Sequence, residues 1–272
     1  MSVAVLFNLS DGLVLGVDSA LTAFDSQGIS KVFEDAEKLF QLSNLPIGIA
    51  SYGIAGLESR TIGSFLREFE RTGVGHDNLA EMSIATVAEH LRRFFLDVYV
   101  RNAETVFGVP FDQIPDDRKG SLGLIVGGLS PGQFLSEVWH VNIPWNNTEN
   151  SAVRVFGPGE FGCAWFASST PIQRYIKGID YSLLTEWTAL IEQLLARPIT
   201  DTEQAQFRQI AEKYEYRIPT DSMPIQVGIE CARFLVSLVI GHYRFTERDP
   251  IVGGKAKIGV VTYKQESFRL LD

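Results

Sequence analysis

The chemistry-bearing residues of this chain stand at the ends of its apolar runs. Ser2 immediately precedes the run Val3–Leu9, and the next run, 13–17, ends in Gly16-Val17-Asp18-Ser19-Ala20. Between them Ser10-Asp11-Gly12 is hairpin chemistry, because glycine tolerates positive φ. A hairpin returns the end of its second strand to the start of its first, which places Asp18 near Ser2. A third strand is expected to open with Lys38, in Lys38-Leu39-Phe40-Gln41-Leu42, so a lysine can sit beside that aspartate. A fourth, 47–51, leads into Ser51-Tyr52-Gly53-Ile54-Ala55-Gly56, a glycine-containing turn whose backbone N–H groups could face developing negative charge. Together a hydroxyl, a carboxylate, an ammonium and an N–H-bearing turn are parts for nucleophilic attack on a carbonyl. Taken singly, each has a plainer reading: serine is common as a second residue, Asp18 and Lys38 could be a structural ion pair, and Gly53 could serve a turn.

The elements that must position these groups follow from periodicity. Residues 61–72 carry Ile62, Phe65, Leu66 and Phe69 at helical spacing, and 82–100 carry Ile84, Val87, Leu91, Phe94, Phe95 and Val98 likewise. The helix face Phe94, Phe95 and Tyr99 reads as sheet-packing core. After a loop at 107–119, strands are expected at 121–128, 133–141 and 152–156. A helical block then fills 160–246, as four helices near 160–177, 182–195, 201–214 and 222–245, and strands at 256–263 and 267–271 close the chain. Blocks of antiparallel strands interleaved with helix pairs imply an α+β fold, a four-layer αββα sandwich with two antiparallel sheets between helix layers. The expectation is one domain over 1–272, with a helical insertion at 180–220.

Composition excludes several classes. The chain has 272 residues, 45% of them hydrophobic, and a formal net charge of -9 with no basic run, which argues against a nucleic-acid surface. No stretch of ~18 consecutive apolar residues suggests a membrane span, and the start has neither the basic nor the apolar region of a signal peptide, so a cytoplasmic protein is expected. Cys163 and Cys231 lie in stretches that read as helical and apolar, as buried thiols do. Four scattered histidines give no zinc spacing, and neither a metal nor another cofactor is expected. Glu34, Asp35 and Glu37 read as a solvated loop that could also recognise a basic substrate side chain. Gly253-Gly254-Lys255 lacks the spacing of a phosphate-binding loop and precedes a strand rather than a helix.

In S-V-A-V-L-F-N-L-S-D-G-L-V-L-G-V-D, E-K-L-F-Q-L, I-G-I-A-S-Y-G-I-A-G, L-I-V-G-G-L and R-D-P-I-V-G-G-K, the sequence resembles the proteasome-type N-terminal nucleophile (Ntn) hydrolases, the proteasome β subunits and their bacterial relatives. The resemblance runs over nearly the whole chain, with 180–220 as the main excess. It implies that Ser2, exposed by removal of Met1, is the nucleophile. Serine needs an adjacent base, and its own α-amino group, with a pKa of about 7.7–8.0, can be that base. Lys38 would favour the neutral amine and the alkoxide, Asp18 would orient Lys38, and Gly53 would supply the oxyanion N–H, worth about 3 kcal/mol in such sites. Asp249 matches the aspartate that supports the N-terminal group from a neighbouring loop. The chain departs from the family in four ways. It has serine for threonine, Ala20 for a basic residue, Gly157-Pro158-Gly159 where a serine is expected before the third helix, and Val252 for a serine after Asp249.

The implied function is a proteasome-like peptidase acting on peptides or unfolded protein inside a homo-oligomeric ring or related assembly, which an ATP-dependent unfoldase could feed. The alternatives are a noncatalytic structural subunit of such an assembly, or an Ntn amidase acting on a small amide.

Overall fold

The computed structural model describes residues 2–25, 28–73, 79–145, 151–246, 252–264 and 267–271. Strands β1 (Val3–Leu9) and β2 (Gly12–Asp18) form the expected hairpin, with Leu9 opposite Gly12 and Ala4 opposite Val17. Gly12 is required for space as well as conformation: its φ is 147°, and a Cβ there would lie 2.1 Å from the carbonyl oxygen of Val261. A second hairpin, β3 (Leu21–Asp25) and β4 (Gly28–Phe33), follows where the sequence reading placed no strand. Next come β5 (Leu39–Gln41) and β6 (Ile47–Gly53), joined by a turn in which Ser43 and Asn44 both take positive φ. The short pair β7 (Gly56–Leu57) and β8 (Arg60–Thr61) leads into α1 (Ile62–Glu68).

Thr61 and Ser83 cap α1 and α2 (Ile84–Phe107) through their side-chain oxygens, each satisfying an otherwise orphaned N–H. Helix α2 outruns the expected end near 100 by seven residues and stops at Gly108, which is left-handed. Strands β9 (Leu122–Gly128), β10 (Glu137–Ile143) and β11 (Val153–Phe156) come next. Then β12 (Gly162–Ala167) corrects the sequence reading, which had put a helix over 160–177 and Cys163 within it. Only Thr170–Lys177 is helical, as α3. Gly162-Cys163-Ala164-Trp165 contains small residues that a helix accepts equally well. The strand reveals itself by period two: Cys163 and Trp165 pack toward the helices, Ala164 and Phe166 toward the other sheet. After α4 (Tyr181–Leu195), α5 (Asp201–Glu212) and α6 (Ile225–Thr246), strands β13 (Ala256–Thr262) and β14 (Arg269–Leu271) complete the fold.

The protein is α+β, with six α-helices among the described residues and antiparallel sheets throughout. One five-stranded sheet runs β12-β1-β2-β13-β14, the other β11-β10-β9-β6-β5. The alternation of β1 explains the packing. Val3, Val5 and Phe7 join a cluster with Ile172 of α3 and Leu235, Val236 and Val239 of α6. Ala4 and Leu6 face the other way, joining Leu15, Leu39, Ala50, Ile125 and Val261 from both sheets. On the far side of the second sheet, Leu124 and Val126 pack with Phe65, Phe69, Leu91 and Phe95 of the first helices and the turn that follows α1. Phe95 and Tyr99 are core, in keeping with the sequence reading, whereas Phe94 is only partly buried. Phe268 seats its ring over Gly48 of one sheet and Gly259 of the other, where a Cβ would come within 2.3 and 2.1 Å of it.

Helix α6 is long and apolar enough to cross a membrane, with a mean hydropathy of 1.4, but its Gly228, Ile229, Ala232, Leu235, Val236 and Val239 are buried against the first sheet. No residue of α4 or α5 is buried.

Candidate active site

The hairpin geometry brings three of the expected residues together. Ser2 stands at the entry of β1 and Asp18 at the exit of β2, while Lys38 precedes β5; all three are buried. The Lys38 Nζ donates to Ser2 Oγ and to Asp18 Oδ1, both at 2.9 Å. Asp18 Oδ1 also accepts from the Val3 N–H at 3.0 Å, and Oδ2 accepts from the N–H groups of Ala20 (3.3 Å) and Gly253 (3.4 Å). A buried carboxylate is thus met by one ammonium and three backbone donors, which is what keeps a charge tolerable out of water. Lys38 is held in turn through its backbone: its carbonyl accepts the Ser51 N–H at 2.8 Å, locking it to β6. Burial pushes the Lys38 pKa below the ordinary lysine value, against the opposing pull of the Asp18 charge and hydrogen bond.

Gly53 ends β6 with φ 87°, and a Cβ there would sit 2.1 Å from the Ser121 carbonyl oxygen, so the position admits only glycine without displacing the strand end. Ser2, Lys38 and Gly53 line one cavity of about 1120 Å³, together with Thr22, Glu37 and Arg60. Glu37 is exposed on the rim, as a solvated loop residue would be. Tyr52 forms part of the wall; its hydroxyl is hydrogen-bonded to His140 Nε2 at 2.6 Å, its ring stacks on Phe166, and the His140 ring lies tilted against the same phenylalanine. Burial pushes the Tyr52 pKa up to about 12 and the His140 pKa down to about 4. Asp249 lies outside the described residues. Val252 is fully buried in the apolar cluster beneath α6 and offers no hydroxyl.

The sequence reading missed Ser168. It had matched Gly157-Pro158-Gly159 to the turn before the third helix, but that segment lies between β11 and β12. The turn that actually precedes α3 is Ala167-Ser168-Ser169, entered through a positive φ of 63° at Ala167. The Ser168 N–H donates to the Ser2 carbonyl at 2.9 Å, and its hydroxyl is buried without a hydrogen-bond partner among the described residues. A serine with a buried hydroxyl therefore does precede the third helix, ten residues after the position that the sequence reading matched. The Ser-Ser pair directly before Thr170-Pro171, a helix start, was the available signal. Among the described residues, no cluster of histidine, cysteine or acidic side chains could hold a metal ion.

No protein-family model matches the chain, and no curated protein matches it. Solved structures do. An Anbu (Gly-1) mutant from Hyphomicrobium sp. strain MC1 is 12% identical with a TM-score of 0.54, the match covering 100% of this chain and 87% of that one. A structure described as the helical assembly of the Anbu complex from Pseudomonas aeruginosa is 14% identical with a TM-score of 0.55, covering 96% and 81%. Another Anbu structure from the Hyphomicrobium strain, 12% identical with a TM-score of 0.53, covers 99% and 87%. These findings correct the resemblance to proteasome β subunits: the three structures named are Anbu chains, and identities of 12–14% make the relationship distant and the likeness one of fold alone.

Proposed function

We propose that this chain hydrolyses peptide bonds with Ser2 as nucleophile, on a single αββα sandwich of the N-terminal nucleophile type from which α4 and α5 project as an insertion. The observation that carries the reading is the buried Lys38 ammonium bridging Ser2 Oγ and Asp18 Oδ1 at 2.9 Å each, with Ser2 and Lys38 lining a cavity. An ammonium there stabilises the alkoxide-like oxygen that forms as serine attacks, and the Asp18 carboxylate keeps Lys38 aimed.

Ser2 Oγ attacks the carbonyl carbon while its proton passes to the base. Once Met1 is removed, that base is the α-amine of Ser2 itself. The oxyanion is received by the Gly53 N–H. The C–N bond then breaks, the leaving amine takes the proton, and water hydrolyses the ester on Ser2. Asp249 is assigned to support the N-terminal group, with the Ser168 hydroxyl as its companion. A cavity of about 1120 Å³ exceeds the ~300–1,000 Å³ of ordinary small-molecule sites, which favours an extended peptide over a small amide. The helical assembly named for the Pseudomonas Anbu complex supports a further part of the proposal, that copies of this chain associate as a subunit of a proteasome-like assembly.

The test is the intact mass before and after exposure to a peptide epoxyketone or a β-lactone. Loss of Met1 and a single adduct that disappears in Ser2→Ala is the expected result. Retained Met1 without an adduct overturns the hydrolase and leaves a noncatalytic subunit.

A further inference from the structure

Both α4 and α5 are built to be helical, yet no residue of either helix is buried. Asp180 caps α4 by accepting the Leu183 N–H, and Thr200 with Glu203 forms a reciprocal capping box on α5. Such caps order helix ends, but helices of 15 and 12 residues are marginal in water without an apolar face to bury. Both helices carry that face outward. On α4, Leu184, Thr188 and Ile191 are half-buried, whereas Trp187, Leu190 and Leu194 are 54%, 52% and 76% exposed. On α5 and its extension, Phe207, Ile210 and Tyr214 are 42%, 53% and 74% exposed. The two stripes share one spacing, i, i+3, i+7, which is the seam by which helices pair side by side.

Taking about 200 Å² for a large apolar residue, these six expose about 700 Å² in all. The α4 stripe supplies about 360 Å² of this and the α5 stripe about 340 Å², each within the ~300–600 Å² of the largest patch on a typical monomer. The two stripes together come close to the ~800 Å² that each partner contributes to a standard interface. A second copy of this chain brings both stripes to a contact about a two-fold axis, where each meets an apolar equivalent.

We infer that the α4–α5 projection is an interface between copies of this chain, with the Trp187–Leu190–Leu194 stripe as its centre. The inference specifies the contact behind the assembly proposed above, and it stands apart from the chemistry of Ser2.

Sedimentation velocity and light scattering of the full chain test it, on wild type and on Leu190→Glu/Leu194→Glu. Neither leucine is buried in the single chain, so far-UV circular dichroism and the melting transition should stay unchanged apart from contributions of assembly itself. The expected result is an oligomer for wild type and a shift to a smaller species for the double variant. A second variant, Phe207→Glu/Ile210→Glu, is expected to shift the same way. A monomeric wild type at high micromolar concentration overturns the inference, as does an oligomer that survives both variants with native circular dichroism. Adduct formation at Ser2, read on the same samples, separates the two proposals. An adduct on a monomer removes the interface and keeps the hydrolase; dissociation by the variants without any adduct does the reverse.

Discussion

Asp18 and Lys38 are not equivalent halves of a pair, and the difference is measurable. Breaking a buried ion pair by removing one partner costs about 3–5 kcal/mol, because an uncompensated charge stays behind. Asp18→Asn leaves the Lys38 ammonium with neutral acceptors alone, Ser2 Oγ and the new amide oxygen, and should cost that full amount. Lys38→Met leaves the Asp18 carboxylate with three backbone donors, from Val3, Ala20 and Gly253. Hydrogen bonds to a charged group are worth about 1.5–3 kcal/mol each, so the orphaned carboxylate is far better satisfied and the loss falls to about 1–3 kcal/mol. At about 2–4 °C per kcal/mol, Asp18→Asn lowers Tm by about 10 °C or more and Lys38→Met by about half of that. The double variant leaves no charge and should cost less than the two singles together.

The acidity of Lys38 gives a second readout of the same reasoning. Its pKa is lowered by burial, and removing Asp18, which raises it, lowers it further. Between that value and the ordinary ~10.4, the unfolded chain binds a proton that the folded variant does not, so stability rises with pH across the window. The Asp18→Asn penalty is therefore greatest where Asp18 is ionised in wild type and Lys38 is still charged in the folded variant, and it shrinks as pH rises toward ~10. Calorimetry and urea unfolding at several pH values decide the matter. A Lys38→Met variant as unstable as Asp18→Asn, or a penalty independent of pH, would refute the asymmetry.

Further expectations concern other parts of the molecule. Gly53→Ala drives a Cβ into the Ser121 carbonyl; in a competent hydrolase it should cut the rate of Ser2 acylation by about 10²-fold or more, measured as adduct formation over time. His140 is neutral in the fold with a pKa of about 4, below its unfolded ~6.5, so stability is lost as pH falls through that interval. His140→Gln, which does not titrate, should flatten this part of the Tm–pH curve. Phe268→Ala empties the space over Gly48 and Gly259 and should cost about 3–5 kcal/mol by urea unfolding. Ser168→Ala removes a hydroxyl that has no partner among the described residues, so stability should move by no more than ~0.5 kcal/mol while acylation of Ser2 slows.

The parts of the site legible in the sequence are those fixed by a hairpin. Ser10-Asp11-Gly12 dictates where β2 ends relative to β1, and that alone brings Asp18 to Ser2. Lys38 was readable because the residue ahead of a strand is placed by the strand. Ser168 was not, because its position depends on Gly162–Ala167 being a strand, and a run of small residues with two adjacent aromatics satisfies either period until a neighbouring strand selects one. The β3–β4 hairpin was missed because nothing in 21–33 alternates cleanly, polar and apolar residues following one another in Ile29-Ser30-Lys31-Val32-Phe33, although Asp25-Ser26-Gln27-Gly28 before them is turn chemistry. The α+β class survived these errors, since it rests on the remaining strands and on the long helices α2 and α6.

The order of the first sheet has a consequence for how the chain is made. Strand β2 hydrogen-bonds β1 on one side and, on the other, β13, which is synthesised some 240 residues later. On the ribosome the opening hairpin therefore emerges with both edges bare: β12 arrives only with residue 167 and β13 only with residue 262. Pairing over such separations closes large loops and is slow, and apolar strands waiting with open edges are prone to mispair. The buried ammonium–carboxylate pair that the hairpin prepares cannot leave water until the last strands dock. Completion of the site consequently waits for β13, and a chain truncated before that strand should yield a chaperone client rather than a smaller version of the fold.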